Sequence, residues 1–428
     1  MKKSFKKALA GDEVTVVLPG GSQQGVLLES YEAGIILLKL SSGYNIGFYR
    51  SDVKEIKLIA KGAAKKVEKV IKQSGNKPII DIILTGGTIS SKLDPLTGGV
   101  SWLLEEEEFF SIYPEIFAIA DIRVKSPFMK ASENMAAADW IKIAKLAGKS
   151  LNDSQVKGVI ISHGTDTLHY TASALSFMLG KLNKPVVLTY SQRSADRGSS
   201  DSRMNLLCSA HMALSDVAQV MLVGHATMND DYCYALQGNK CRKLHSSRRD
   251  AFKPVNCKPF AKVWPEGKVE LLRHDYRKRN KDKVVVDGVF DSKVGLFKIY
   301  PGCDPAIISY YQKNCKGLVI EGTGFGHVIS EGKTNFIPTL RQVIKKGLLV
   351  YMTTQTIFGK VNPLVYSPGR KLAESGVVYL EDMLAETALV KLGWVLGHKH
   401  WRGTITTRDK MLENISGEFN NLLGNEFL

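Results

Sequence analysis

The apolar positions of this chain follow two rhythms. In the first, over residues 11–59, Val14 and Val16 alternate with Thr15 and Val17. Gly25-Val-Leu-Leu-Glu-Ser30, Gly34-Ile-Ile-Leu-Leu-Lys-Leu40 and Tyr44-Asn-Ile-Gly-Phe-Tyr49 then follow at short intervals. Glycines at 20, 21, 25, 34 and 43 punctuate them, and Ser42-Gly43 suits a two-residue hairpin turn. Alternation with turns this closely spaced predicts four or five short strands, and so a small β-barrel over residues 1–59. The module contains no histidine and reads as a docking or recognition unit.

The second rhythm begins at Pro78. Ile79, Ile80, Ile82, Ile83 and Leu84 form a nearly continuous apolar run that stops at Thr85-Gly-Gly-Thr88. Such a run predicts a central parallel strand covered on both faces. Val156-Lys-Gly-Val-Ile-Ile-Ser162 repeats the pattern and stops at His163-Gly-Thr-Asp-Thr167. A helix follows at once, with Leu168, Ala172, Leu175 and Leu179 on one stripe and Asp166 or Thr167 placed to cap it. Strands are also predicted at 121–125, 185–188 and 217–223, and helices at 103–110, 135–146 and 201–215. From residue 293 three more strand-like runs (294–299, 317–320 and 347–352) alternate with helical stretches, and a helix over 386–396 closes the chain. The fold class is therefore α/β, two domains with mostly parallel sheets behind a small N-terminal β-barrel. Boundaries fall at a lysine-rich helical linker over 60–77, a first domain over 78–274, a charged exposed linker over 275–292 and a second domain over 293–428.

Composition narrows the classes. A hydrophobic share of 44% over 428 residues suits a globular protein with proper cores. No run approaches the ~18–20 apolar residues of a membrane span. Gly11-Asp12-Glu13 stands where a signal peptide would place its apolar segment, so a cytoplasmic location is expected. The six cysteines form no C-x-x-C pair, which argues against a disulfide framework and against zinc. No metal site is expected in this chain. Of the net charge of +16, about +10 lies in residues 239–283, which hold 15 Lys or Arg against five acids. A basic band of this kind either follows phosphates or is a solvated surface.

The two strand ends carry candidate chemistry. In open α/β sheets ligands bind at the carboxyl edge of the strands, and here two such ends each present threonine beside glycine. Amide hydrolysis needs a nucleophilic hydroxyl, a base to activate it and donors for the developing oxyanion. Asp94-Pro-Leu-Thr-Gly-Gly99 has the turn chemistry of a flap over such a site. Ala131-Ser-Glu-Asn-Met135 adds small donors and a carboxylate at a further strand end.

The pair Thr85-Gly-Gly-Thr-Ile89 and His163-Gly-Thr-Asp-Thr167, in order and on predicted strand ends, resembles the bacterial-type L-asparaginase/glutaminase family from about residue 78 to the C-terminus. The resemblance implies an asparaginase-like fold and threonine-dependent amide hydrolysis. It makes Thr88 the nucleophile candidate and adds Thr165, Asp166 and Lys243, the last by its spacing nine residues before Phe252. It further implies that Ser132 holds the substrate's α-carboxylate, that Glu133 and Asp166 meet its α-ammonium, and that Gly87 and Gly164 line the substrate site. His163 is read as a packed turn residue with local hydrogen bonds. Leu96 and Thr97 depart from the family's usual flap tyrosine, and Phe325 stands where asparagine is common.

The N-terminal module, with Lys39-Leu-Ser-Ser-Gly-Tyr-Asn-Ile-Gly47, and the segment Lys240-Cys-Arg-Lys-Leu-His-Ser-Ser-Arg-Arg-Asp-Ala-Phe252 resemble the D-subunit branch of archaeal glutamyl-tRNA(Gln) amidotransferases. That branch implies a glutaminase releasing ammonia from L-glutamine for a partner E subunit, where ATP, Mg²⁺ and most tRNA(Gln) contacts would lie. No cofactor is implied for this chain. A homodimer core within a heterotetramer is the expected assembly, with no membrane association. The alternatives are a stand-alone L-asparaginase, and an RNA-binding protein on an inactive amidase fold. Glutamine and asparagine share the same α-amino and α-carboxylate handles, so the sequence leaves that choice open, along with which threonine attacks first.

Overall fold

The computed structural model describes residues 8–28, 30, 34–42, 45–62, 75–93, 100–102, 112–195 and 197–420. The flap at Asp94–Gly99, the helix expected over 103–110 and most of the linker expected over 60–77 lie outside them.

The N-terminal module is a five-stranded antiparallel, barrel-like sheet in the order Asn45–Tyr49, Ile35–Lys39, Gly21–Leu28, Glu13–Leu18, Glu55–Ala60. The alternation along the chain is what builds it, because side chains on a strand point to opposite faces by turns. Val14, Val16, Ile36 and Leu38 face inward and are buried.

The first large domain holds an eight-stranded sheet. Five parallel strands, Val220–His225, Val186–Thr189, Val156–Ser162, Ile79–Leu84 and Asp121–Lys125, lie side by side in that order. Three antiparallel strands, Cys233–Gln237, Ala261–Val263 and Val269–Leu271, extend the far edge. Helices Ala137–Leu151, Leu168–Met178 and Ser202–Leu214 cover it. The apolar runs at 79–84 and 156–162 are the central strands, and Ile80, Ile82, Ile83, Ile160 and Ile161 are fully buried. Parallel strands covered on both faces demand such runs.

The second domain is a four-stranded parallel sheet, Val294–Lys298, Gly317–Gly322, Leu349–Thr354 and Val378–Tyr379. Its helix Ala385–Gly397 packs along Leu168–Met178 of the first domain, with Phe177 stacked on Trp394 at 5.6 Å and Ser173 Oγ 3.0 Å from Thr387 Oγ1. This helix is buried nearly all round, which explains its apolar composition on every face. One apolar cluster runs from Ile83 and Leu175 through to Leu392 and Tyr351, so the two large domains share a core.

The charged stretch 277–283 is exposed at Lys278, Lys281, Asp282 and Lys283 and is held at Arg279, which donates to the carbonyls of Lys157, Ala213 and Ser215, while Val217 bridges Lys278. The Arg279 guanidinium satisfies backbone acceptors at the amino edge of the sheet, a use that charge patterning does not display. The helix expected from residue 135 starts at Ala137, because Asp139 Oδ2 accepts the Ala136 N–H at 2.9 Å and fixes the first turn there. All six cysteines are free thiols. No helix among the described residues is long and apolar enough to cross a membrane.

Candidate active site

The two central strands set the level at which the site is built. Leu84 pairs with Ser162, so the Thr85–Thr88 and His163–Thr167 loops leave the sheet side by side at its carboxyl edge. Thr85 Oγ1 donates to the Ser162 carbonyl at 2.6 Å, and Lys130 N donates to the Thr85 carbonyl at 3.0 Å. Thr85 is thereby a buried structural tie, and Thr88, half-buried, opens the short turn Thr88–Ser90.

Close backbone approach brings the loops together. A Cβ on Gly87 would lie 2.4 Å from Gly164 N, and one on Gly164 would lie 2.9 Å from Ser132 Oγ. Gly87 thus packs on the backbone of the second loop, and Gly164 against the Ser132 side chain of the third, at points where only hydrogen side chains fit. Gly87 has φ of 84°, a conformation that β-branched or bulky residues avoid. Ser132, buried, starts the turn Ser132–Asn134, and exposed Glu133 follows it. Thr167 does not cap its helix; its hydroxyl donates instead to the Ser132 carbonyl at 2.6 Å and ties the second loop to the third.

Lys243 arrives from a separate two-stranded ribbon, Cys241–Lys243 with Phe252–Pro254, in which Lys243 pairs with Phe252. Phe252 is buried against Tyr190, with ring centroids 4.8 Å apart, and this anchors the ribbon. The Lys243 ammonium nitrogen lies 2.7 Å from Thr165 Oγ1 and 2.8 Å from Asp166 Oδ1. The lysine side chain is 10% exposed and that of Asp166 65%, so the contact with Thr165 is sheltered while the carboxylate faces solvent. Lys243 therefore meets Thr165 and Asp166 directly, and Gly164, the residue before Thr165, packs against Gly87 and Ser132; Thr88 follows Gly87 in its loop and exposed Glu133 follows Ser132.

His163 lies beneath, fully buried. Its Nδ1 is 2.7 Å from the Gly164 carbonyl and its Nε2 2.8 Å from Thr171 Oγ1, which itself accepts the Trp140 indole N–H at 3.0 Å. Burial, opposed only by the Gly164 carbonyl, lowers its pKa from 6.5 to about 4. The unfolded chain takes up this proton near pH 6.5 and the folded chain only near 4. The stabilisation is therefore complete above 6.5 and is lost as pH falls to about 4, roughly 3 kcal/mol in total. Urea unfolding between pH 7 and 4.5 should show that loss, and the slope with pH should be flatter in His163→Asn.

Sequence reading passed over a second row of contacts behind Lys243. Arg242 Nε donates to Glu386 Oε1 at 2.9 Å, and Lys240 Nζ donates to Asp382 Oδ2 at 2.6 Å, both acids belonging to the second domain. Arg242 alternates with Lys243 along the ribbon strand and Lys240 lies just before it, and that spacing was the one signal the sequence offered.

Comparison with known proteins matches the same segments. Residues 79–277 match the family described as Asparaginase, N-terminal; residues 293–407 match the Glutaminase/Asparaginase C-terminal domain; residues 8–59 match the GatD N-terminal domain. The D subunit of the glutamyl-tRNA(Gln) amidotransferase of Pyrococcus abyssi is 46% identical over 415 residues, spanning 95% of this chain and 92% of that protein. Its counterpart in Sulfurisphaera tokodaii is 44% identical over 96% of this chain and 91% of its own length. Among solved structures, the thermostable L-asparaginase from Thermococcus kodakarensis superimposes with a TM-score of 0.72 at 28% identity, covering 80% of this chain and 100% of that one. Identity at this level over nearly the whole length, N-terminal module included, places the chain: it belongs to the family of glutamyl-tRNA(Gln) amidotransferase D subunits, on an asparaginase-type fold.

Proposed function

We propose that this chain is the cytoplasmic glutaminase subunit of a glutamyl-tRNA(Gln) amidotransferase, and that Lys243 and Thr165 move the proton in amide cleavage. The observation that carries the catalytic reading is the 2.7 Å contact between Lys243 Nζ and Thr165 Oγ1 at the carboxyl edge of the sheet. A threonine hydroxyl attacks the side-chain amide carbon of L-glutamine, and the hydroxyl proton passes through the Thr165–Lys243 pair. A lysine takes up a proton only from its amine form, so turnover draws on that form. The C–N bond then breaks, the nitrogen leaves as ammonia with the relayed proton, and water cleaves the threonine ester to release glutamate. Thr88 is the nucleophile in this reading, since its loop backbone touches that of Gly164. Ser132 and Glu133 receive the α-carboxylate and α-ammonium, and exposed Asp166 shares the ammonium while orienting Lys243.

In the same reading a partner E subunit consumes the ammonia, binds ATP, Mg²⁺ and tRNA(Gln), and joins a homodimer of this chain in a heterotetramer. Co-purification from the native source, followed by ammonia release from each amide, tests it. Glutamine turnover should rise at least tenfold with the partner and glutamyl-tRNA(Gln) present. Fast asparagine turnover by the isolated chain, unchanged on deleting residues 1–72, would instead support the stand-alone asparaginase to which the fold is also similar.

A further inference from the structure

We infer that Glu386 of the second domain is a positioning residue for Lys243, holding the ribbon strand through Arg242 so that the lysine meets Thr165. This rests on the function proposed above and goes beyond it, because it gives the second domain a part in the chemistry of the first.

The contact lies one residue from the base. Side chains alternate along a strand, so while Lys243 turns toward Thr165, Arg242 turns the other way and meets Glu386 at 2.9 Å. Lys240 continues the row and meets Asp382 at 2.6 Å in a pair that is almost fully buried. Asp382 and Glu386 flank the start of the helix Ala385–Gly397, so two ion pairs pin one short strand to one helix end. Among the described residues the Cys241–Lys243 strand pairs within its two-stranded ribbon and gains no ladder from the main sheet, so contacts outside the ribbon help to fix its position.

Stability is a poor reason for this arrangement. Glu386 is 7% exposed and Arg242 27%. Burial pushes the Glu386 carboxyl above its ordinary pKa, with Arg242 opposing the rise and Glu321 adding to it. Its Oε2 has no partner among the described residues, and His169, 3.9 Å away, keeps its own Nδ1 unpartnered. A desolvated carboxylate only half satisfied contributes little net free energy. What the pair supplies is geometry, since a displacement of about 1 Å at a reacting group can cost on the order of a hundredfold in rate.

The test uses the full chain co-purified with its partner and measures glutamine-dependent ammonia release. Glu386→Gln and Arg242→Gln should each lower kcat about tenfold while KM stays within about twofold. The double variant should be no slower than either single one, and Glu386→Gln should add nothing to the loss caused by Lys243→Ala. A purely structural role would not give that last result, because a general loosening multiplies with loss of the base. A kcat within twofold of wild type, or losses that multiply, overturns the inference. If Glu386→Gln fails to fold, Arg242→Lys, which keeps a cation beside the buried carboxylate but loses the guanidinium geometry, carries the comparison. A wild type that cleaves asparagine but not glutamine would refute the proposed substrate, and the same comparison would run on asparagine. A wild type that cleaves neither amide would refute both.

Discussion

Lys243→Ala should lower glutamine-dependent ammonia release by about 10²–10⁴-fold, the range that general acid–base groups contribute. Lys243 is the cationic side chain within 2.8 Å of both Thr165 and Asp166, so its removal leaves the threonine hydroxyl without the relay. The fold should tolerate the change. The partner left behind, Asp166, is 65% exposed, and exposed ion pairs are worth little to stability. Thermal unfolding should therefore stay within a few degrees of wild type, which separates a chemical loss from a folding one. Lys243→Arg should rescue little, because a guanidinium stays protonated and cannot accept the hydroxyl's proton. Activity of Lys243→Ala within tenfold of wild type would refute the relay.

Much of the fold was legible because burial writes itself into period. The alternation at Val14 and Val16 and the nearly continuous apolar run at Ile79–Leu84 correspond to a one-sided antiparallel sheet and a two-sided parallel one. The contact between Thr165 and Lys243 was legible differently. Two glycine loops at strand ends suggested a site, but nothing periodic points from residue 243 to residue 165. Only the resemblance supplied that pairing, and the geometry places the two side chains 2.7 Å apart.

What stayed hidden depends on long-range polar contacts. Arg242 and Lys240 read as members of a basic band, and as charges in a sequence they are indistinguishable from solvated ones. In the structure each meets an acid of the second domain, while Arg279 is spent on backbone carbonyls and Arg249 on Asp230. Much of the band is thus internal mortar, which weakens the case for RNA contact drawn from net charge alone. Likewise the Thr167 hydroxyl, which the sequence offers with Asp166 as a helix cap, makes no bond to its own helix and donates to the Ser132 carbonyl of another loop.

Gly87→Ala should reduce ammonia release by about a hundredfold, the second largest effect expected, although the residue brings no functional group. The added Cβ would lie 2.4 Å from Gly164 N and 2.6 Å from both Gly164 Cα and the His163 carbonyl carbon. None of these is the yielding end of a side chain, so the two loops must part by about 1 Å, carrying Thr88 away from Thr165. Backbone strain alone would be a weaker explanation, and Gly180→Ala distinguishes the two. Gly180 also has a positive φ, 55°, but a Cβ there meets nothing within 4 Å. It should lose about 1–2 kcal/mol of stability from the left-handed backbone and keep its activity. Gly87→Ala should lose more stability, because the backbone clash adds to the left-handed strain, and most of its activity, with the change in kcat exceeding that in KM. Equal behaviour of the two variants in the ammonia assay would show that contact between the glycine loops does not set the geometry of the site.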